Sequence, residues 1–211
     1  MAAQRKTFPR LFLARPEPFR LSGERVRLRP PERGDYEDWA SLRARSRGFL
    51  APWEPSWPPD ALSRANFRVR VARYAEDWRT DQAYNFFIFA RDGTLLGGIG
   101  LANIRRGVSE TASLGYWIGE PFARQGYMTA ALPLILDFAF GRLRMHRVEA
   151  ACLPTNMPSR ALLLRAGFAQ EGYARQYLCI DGKWQDHVLF AILREDWNGR
   201  GLQEVPSTIG S

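Results

Sequence analysis

The stretch Leu114–Ala131, LGYWIGEPFARQGYMTAA, decides how the rest of the chain is read. Ser113 to Gly119 (SLGYWIG) is apolar and aromatic and reads as a strand, cut off by Glu120-Pro121. Helical spacing resumes at Gly126 and runs to Phe140; Pro133 inside that run removes a backbone donor, so a kink or a displaced start is expected. Where the helix begins, Arg124-Gln125-Gly126-Tyr127-Met128-Thr129 offers consecutive backbone N–H groups, and Gly126 permits close approach. Free amides at the positive end of a helix dipole, with Arg124 as a cation, make a phosphate site. On its own such a turn also fits a plain helix start. No Gly-Lys-Ser/Thr follows, so it is not a P-loop, and the spacing is not GxGxxG.

Toward the amino terminus, Glu24–Arg29 (ERVRLR) alternates as a first strand ended by Pro30-Pro31. Gly34-Asp35 starts a helix with Trp39, Leu42 and Ala40 on its apolar side. Phe49–Asp60 (FLAPWEPSWPPD), stiffened by four prolines, reads as neither helix nor strand: a rigid loop packing its indoles, or a cleft wall. A helix is expected over Leu62–Arg79, then strands Tyr84–Ala90 and Thr94–Leu101 around Arg91-Asp92-Gly93. Toward the carboxyl terminus come a strand (His146–Leu153), a short helix (Pro158–Arg165) stopped by Gly167, and a hairpin, Glu171–Ile180 with Lys183–Leu193, around Asp181-Gly182. This order predicts a mixed sheet with helices on its faces and no internal repeat.

The chain has 211 residues, 45% hydrophobic and 25% charged, which fits one globular domain and excludes collagen, bulk disorder and a repeat array. The expected division is a basic arm over 1–23, a domain over 24–197 and a tail over 198–211. The first twenty residues hold five Lys/Arg but no secretory apolar core. The longest apolar run, Thr129–Phe140, is shorter than a membrane span and carries Asp137, so no membrane association is expected. Two cysteines, Cys152 and Cys179, suit a reducing, cytoplasmic chain. Thirty Lys/Arg against 22 Asp/Glu give a net charge of +8, which favours polyanionic partners or is simply a solvated basic surface.

A second informative segment, His146–Phe168 (HRVEAACLPTNMPSRALLLRAGF), runs from strand through Pro154-Thr155-Asn156 into a helix. Asn156 or Ser159 serves there as a helix N-cap, or both point into a cleft where strands separate. Together the two segments resemble the GNAT acyl-CoA N-acetyltransferases, which carry a Gln/Arg-x-x-Gly-x-Gly/Ala loop after the fourth strand and an Asn just past the fifth. The loop here is Ala123-Arg124-Gln125-Gly126-Tyr127-Met128; Ala123 and Met128 depart from the pattern, but a cradle of backbone amides survives both changes. Phe49–Pro55, GYWIGEPFARQGYM, His146-Arg147 with Asn156, and Gly167–Trp197 are further similar to the RimJ-type ribosomal-protein-alanine N-acetyltransferases.

The resemblance implies an α/β (mixed α+β) GNAT fold, its mostly antiparallel twisted sheet splayed between the fourth and fifth strands, with helices on both faces. It implies transfer of acetyl from acetyl-CoA to the α-amine of an N-terminal alanine, in the cytoplasm, by a monomer or homodimer with no direct nucleic-acid readout. The amides of Arg124, Gln125, Gly126, Tyr127, Met128 and Thr129 would hold the pyrophosphate. Backbone groups at Trp117 and Ile118 would grip pantetheine and polarise the thioester, and Asn156 would bind pantetheine or a water. Many relatives protonate the thiolate with a Tyr four residues before Gly-Phe; that position is Leu163 here, and Ser159, one turn earlier, is the replacement. Trp53 and Glu54 would recognise the acceptor.

No general base is evident. Ser113 stands where histone-type members have Glu, Glu110 lies three residues earlier, and Glu149 is free to pair with an arginine. An α-amine of pKa about 8 is roughly a tenth neutral at pH 7 and costs about 1 kcal/mol to deprotonate, whereas a lysine costs nearly 5. A site without a base therefore suits a protein N-terminus. Asp186-His187 lacks a nucleophile, and His146 and His187 lack a third ligand, so no metal is expected. The alternatives are an acetyltransferase for a small polycationic amine, which would want an acidic cleft, and a non-catalytic ribosome- or RNA-binding module.

Overall fold

The structure, a computed structural model, describes residues 19–197. The expected tail and most of the expected arm (1–18) lie outside the described residues. One eight-stranded sheet runs in the order β1-β2-β3-β4-β5-β6-β8-β7. Its strands are β1 (Leu21–Ser22), β2 (Val26–Arg29), β3 (Tyr84–Ala90), β4 (Leu95–Arg105), β5 (Thr111–Ile118), β6 (Arg147–Cys152), β7 (Ala169–Ile180) and β8 (Lys183–Leu193). The two-residue β1 pairs with β2 through Leu21 and Leu28, so residues assigned to the arm belong to the sheet. The fourth and fifth strands of the expected fold are thus β5 and β6.

Every neighbouring pair is antiparallel except β5 and β6, which are parallel only over Thr111–Ser113 against Arg147–Glu149. Beyond that point β5 continues with β4 as far as Ile118↔Gly97, and β6 with β8 as far as Cys152↔Val188. The sheet is therefore splayed where the resemblance places the opening.

The helices are α1 (Tyr36–Arg45), α2 (Arg47–Leu50), α3 (Arg64–Arg79), α4 (Tyr127–Asp137) and α5 (Met157–Arg165). The Phe49–Asp60 segment is more regular than expected: α2 runs into it and a 3₁₀ turn occupies Ala51–Trp53. The α3 helix starts two residues late because Ser63 caps it, accepting from the Asn66 N–H. Pro133 lies within α4 without displacing its start, and a π turn over Phe138–Arg142 ends the helix. Asp181 (φ 45°) and Gly182 (φ 74°) are both left-handed, the backbone a two-residue hairpin turn needs.

Strand β3 explains why the sheet is covered on both faces. Its run YNFFIFA is apolar at consecutive positions, and alternation sends Phe86 and Ile88 one way, Phe87 and Phe89 the other. On the first face, Leu132, Ile135 and Leu136 of α4 pack over Ile99, Leu101 and Leu114. On the second, Trp39 and Leu42 of α1 and Phe67 of α3 cover Phe87, Phe89 and Leu95. Phe138 is the aromatic hub of the first core, 5.3–5.9 Å from Phe19, Trp78, Tyr84 and Phe86, ring centre to ring centre. Truncating this fully buried ring leaves a cavity among rigid neighbours, so Phe138→Ala should lower unfolding free energy by about 3–5 kcal/mol in denaturant titration. A loss under about 1 kcal/mol would contradict this packing.

Candidate active site

The second face of the sheet is hollow at its centre. Register brings Asn85 opposite Gly100 and Gly100 opposite Gly115, with Phe87–Gly98–Trp117 the next row. Three of these six positions lack side chains, and a cavity of about 470 Å³ opens over them. A Cβ on Gly98 would collide with the Trp117 indole, and one on Gly100 would lie 2.9 Å from the Asn85 side chain, so those glycines are sterically required. A Cβ on Gly115 would meet nothing within 4 Å. Trp39 (α1) and Arg70 and Tyr74 (α3) also line the cavity, as does the loop carrying Glu54 and Trp57.

That loop is tied down by Glu54. Both carboxylate oxygens accept from Arg43, at 2.8 and 2.5 Å, and the Trp57 indole N–H donates to one of them at 2.9 Å. The Arg43 guanidinium sits 4.1 Å from the Trp57 ring centre and 4.8 Å from that of Trp117. A bidentate ion pair flanked by two indoles is strongly directional. The Glu54 carbonyl also accepts from the Asp181 N–H at 3.0 Å, which joins the loop to the β7–β8 turn. Glu54 borders the cavity as expected, but it is bound as a structural tie. Trp53 is not among the lining residues; Trp57 holds that position.

At the splay, Gly119 N–H donates to Leu96 O, and the two-residue alternation of an antiparallel ladder then gives β4 the backbone groups of Trp117. The backbone groups of Tyr116 and Ile118 face the gap where β6 has departed. Of the expected pair, the register leaves Ile118 available and turns Trp117 toward β4, with Tyr116 as its replacement. The Tyr116 phenol reaches Ser159 of α5, with 2.7 Å between hydroxyl oxygens, and burial pushes the phenol up to about 12 against a smaller opposing effect of Ser159. By alternation the Tyr116 side chain lies on the face opposite the cavity, with Phe86 and Ile99, so only its backbone reaches the cavity floor. Asn156 is the N-cap of α5, its side-chain oxygen accepting from Ser159 N–H at 3.1 Å. Burial raises the Cys152 thiol, again opposed by a hydrogen bond with Ser159.

The loop ahead of α4 turns on two left-handed residues, Arg124 (φ 60°) and Gly126 (φ 80°). Gly126 is the N-cap and no side chain caps the helix, which leaves first-turn N–H groups for an anion. Arg124 is exposed, while Gln125 folds its amide back onto Pro121 O at 2.7 Å. Tyr127 packs edge-on against Phe122. A cation absent from the sequence reading joins them: Arg25, ahead of β2, stands 5.1 Å over the Tyr127 ring, its Nη1 3.0 Å from where a Gly126 Cβ would be. This uncapped terminus, with Arg25 and Arg124 beside it, fits a diphosphate, and Met128 and Thr129 continue the same turn.

Three further titratable candidates, Glu149, Asp186 and His187, are engaged elsewhere. Glu149 pairs with Arg147 at 2.9 Å, and Asp186 accepts from the Tyr173 hydroxyl and the Gln176 N–H, which hold it below the usual carboxylate range. His187 is buried with Nδ1 3.0 Å from Gln185 O. No cluster of three or more His, Cys, Asp or Glu side chains able to hold a metal occurs among the described residues.

Residues 25–169 match the family model described as acetyltransferase (GNAT) domain. The chain is 37% identical over 177 residues to a probable N-acetyltransferase, YjcK, of Bacillus subtilis, covering 83% of this chain and 98% of that protein. It is 34% identical to the [ribosomal protein uS5]-alanine N-acetyltransferase of Escherichia coli, covering 84% and 92%. Among solved structures, Mycobacterium smegmatis RimJ in complex with CoA-disulfide superposes with a TM-score of 0.78 at 34% identity, covering 82% and 84%. The chain belongs to the GNAT acetyltransferase family and is an acetyl-CoA-dependent N-acetyltransferase. Acetyl-CoA should raise the unfolding temperature by mass action. Gly126→Val, which forces a β-branched residue into a left-handed conformation beside Arg25, should weaken acetyl-CoA binding by at least about tenfold in calorimetry. Unchanged affinity would remove this loop from the cofactor site.

Proposed function

We propose that this chain acetylates the α-amine of a protein N-terminus, and that the acceptor is a ribosomal protein beginning with alanine. The observation that carries the reading is the cavity's charge inventory. Among the described residues Glu54 is the one carboxylate lining it, and Arg43 pairs with that charge. With Arg70 also on the wall, the cavity is net positive. A polycationic amine would find no counter-charge there, which argues against the small-amine alternative. A positive surrounding also disfavours the protonated amine, so it helps present the neutral nucleophile that an α-amine readily supplies. The uS5-alanine enzyme among the relatives supports the ribosomal acceptor, and such an acceptor implies the cytoplasm. Family membership turns the non-catalytic RNA-binding alternative aside.

In this reading the loop before α4 holds the diphosphate of acetyl-CoA, and the pantetheine arm lies in the splay between β5 and β6. The gap-facing amides of β5 orient the thioester carbonyl. The neutral amine enters from the cavity; its nitrogen bonds to the carbonyl carbon, the C–S bond breaks, and the ammonium proton passes to solvent. Ser159 donates its hydroxyl proton toward the departing sulfur. A lone serine is a weak acid, and the Tyr116 phenol, protonated at every physiological pH, donates to Ser159 and stabilises the developing alkoxide, which takes a proton back from solvent.

Mass spectrometry of ribosomal proteins incubated with enzyme and acetyl-CoA should show a single acetyl group on an N-terminal alanine. Turnover of free amines without N-terminal acetylation would overturn the reading. Ser159→Ala should lower kcat about a hundredfold with little change in acetyl-CoA affinity. Filling the floor with Gly115→Leu should abolish acceptor turnover while acetyl-CoA still binds; full activity would place the acceptor elsewhere.

A further inference from the structure

Among the described residues, Arg70 in the cavity has no partner of opposite charge. Arg70 is half-buried on α3, its guanidinium 5.4 Å from the Trp39 ring centre and its Nη1 3.5 Å from the Tyr74 hydroxyl. Among the described residues no carboxylate lies within salt-bridge distance of it. Its neighbours differ: Arg43 holds Glu54, Arg64 holds Glu37 and Arg29 holds Asp35. Asn85 stands on the floor of the same cavity, so this part of the lining offers the Arg70 guanidinium, the Asn85 amide and the Tyr74 hydroxyl, each able to donate a hydrogen bond.

A guanidinium half-withdrawn from water into an apolar, aromatic-lined hollow loses hydration without gaining a counter-charge. Its planar fork and the adjacent donors match a carboxylate, which would make charge-assisted bonds there. We infer that the Arg70–Tyr74–Asn85 wall binds a carboxylate side chain of the acceptor, so that the enzyme selects N-termini carrying Asp or Glu within the first few residues and rejects those carrying Lys or Arg there. This rests on the acceptor being a protein N-terminus, as proposed above, and adds the feature by which one N-terminus is distinguished from another.

The test uses hexapeptides beginning with alanine in which Glu, Gln or Lys is placed in turn at positions two to four. Coenzyme A release gives kcat and KM for each with the wild-type enzyme, Arg70→Gln and Arg70→Glu. At one position the wild type should favour Glu over Gln about tenfold, through KM, and Lys should be poorest. Arg70→Gln should bring the Glu:Gln ratio to about one, and Arg70→Glu should make Lys the preferred residue. Ratios taken within one variant cancel any loss of folded enzyme. Equal use of Glu and Gln by the wild type at all three positions, or an Arg70→Glu enzyme that keeps the Glu preference, would overturn the inference. If the wild type acetylates none of the peptides, the N-terminal reading fails separately. Titration of the cavity tryptophan fluorescence then decides the carboxylate site: tighter binding of the Glu peptide that Arg70→Gln removes supports it, and its absence refutes it.

Discussion

The parting of β5 from β6 is the constraint on which the rest of this structure depends. Two parallel strands share a ladder for three residues, then diverge because each is held more firmly by its antiparallel neighbour on the other side. Divergence leaves the gap-facing amides and carbonyls of Tyr116 and Ile118 without sheet partners, in the middle of a sheet rather than at its edge. Backbone groups so placed must find water or a ligand. An extended amide-bearing arm such as pantetheine supplies acceptors and donors at the spacing of a strand, so it can take the place of the missing ladder. The same divergence leaves room for α5 to bring Ser159 against Tyr116.

Around that gap the fold divides its labour between the two faces of one sheet. On the α4 face, side chains fill the space completely, and the helix ends toward the gap in an uncapped N-terminus flanked by Arg25 and Arg124. On the α1 and α3 face, positions 98, 100 and 115 are glycines and carry no side chain to fill the floor, and the hollow remains. A hollow of this kind would collapse if its cover were loose. The Arg43–Glu54 pair, held between two indoles and linked through Glu54 to the β7–β8 turn, keeps the cover in place. The charged pair thus holds the geometry of the cover.

Much of this was legible along the chain. The apolar, β-rich runs of β3 and β4, Asp-Gly at two turns, the Gly126 helix start and the Asn156 cap each rest on interactions within a few residues, and each stands close to where local rules put it. The errors share one cause. Leu21–Ser22 becomes a strand only because Leu28 is there to pair with it, and Phe49–Trp53 turns helical as the end of α2 and a following 3₁₀ turn with Pro52 in its first turn. Trp53 and Trp57 lie in the same proline-rich segment, and composition cannot say which indole meets Arg43.

By itself the sequence determined the order of the longer strands and helices through periodicity and turn residues, and the resemblance of its short motifs to known acetyltransferases carried the family, the cofactor class and Ser113 where histone-type relatives keep a Glu. Only the tertiary structure decided the roles of Arg25, Arg43, Arg70 and Tyr116. Their partners Tyr127, Glu54, Trp39 and Ser159 lie between 11 and 102 positions away. The physical reason is that a charge or hydroxyl takes its function from what surrounds it. Arg43 and Arg70 are alike as residues in an arginine-rich chain, and folding alone set one against the Glu54 carboxylate and the other on the cavity wall beside Trp39 and Tyr74.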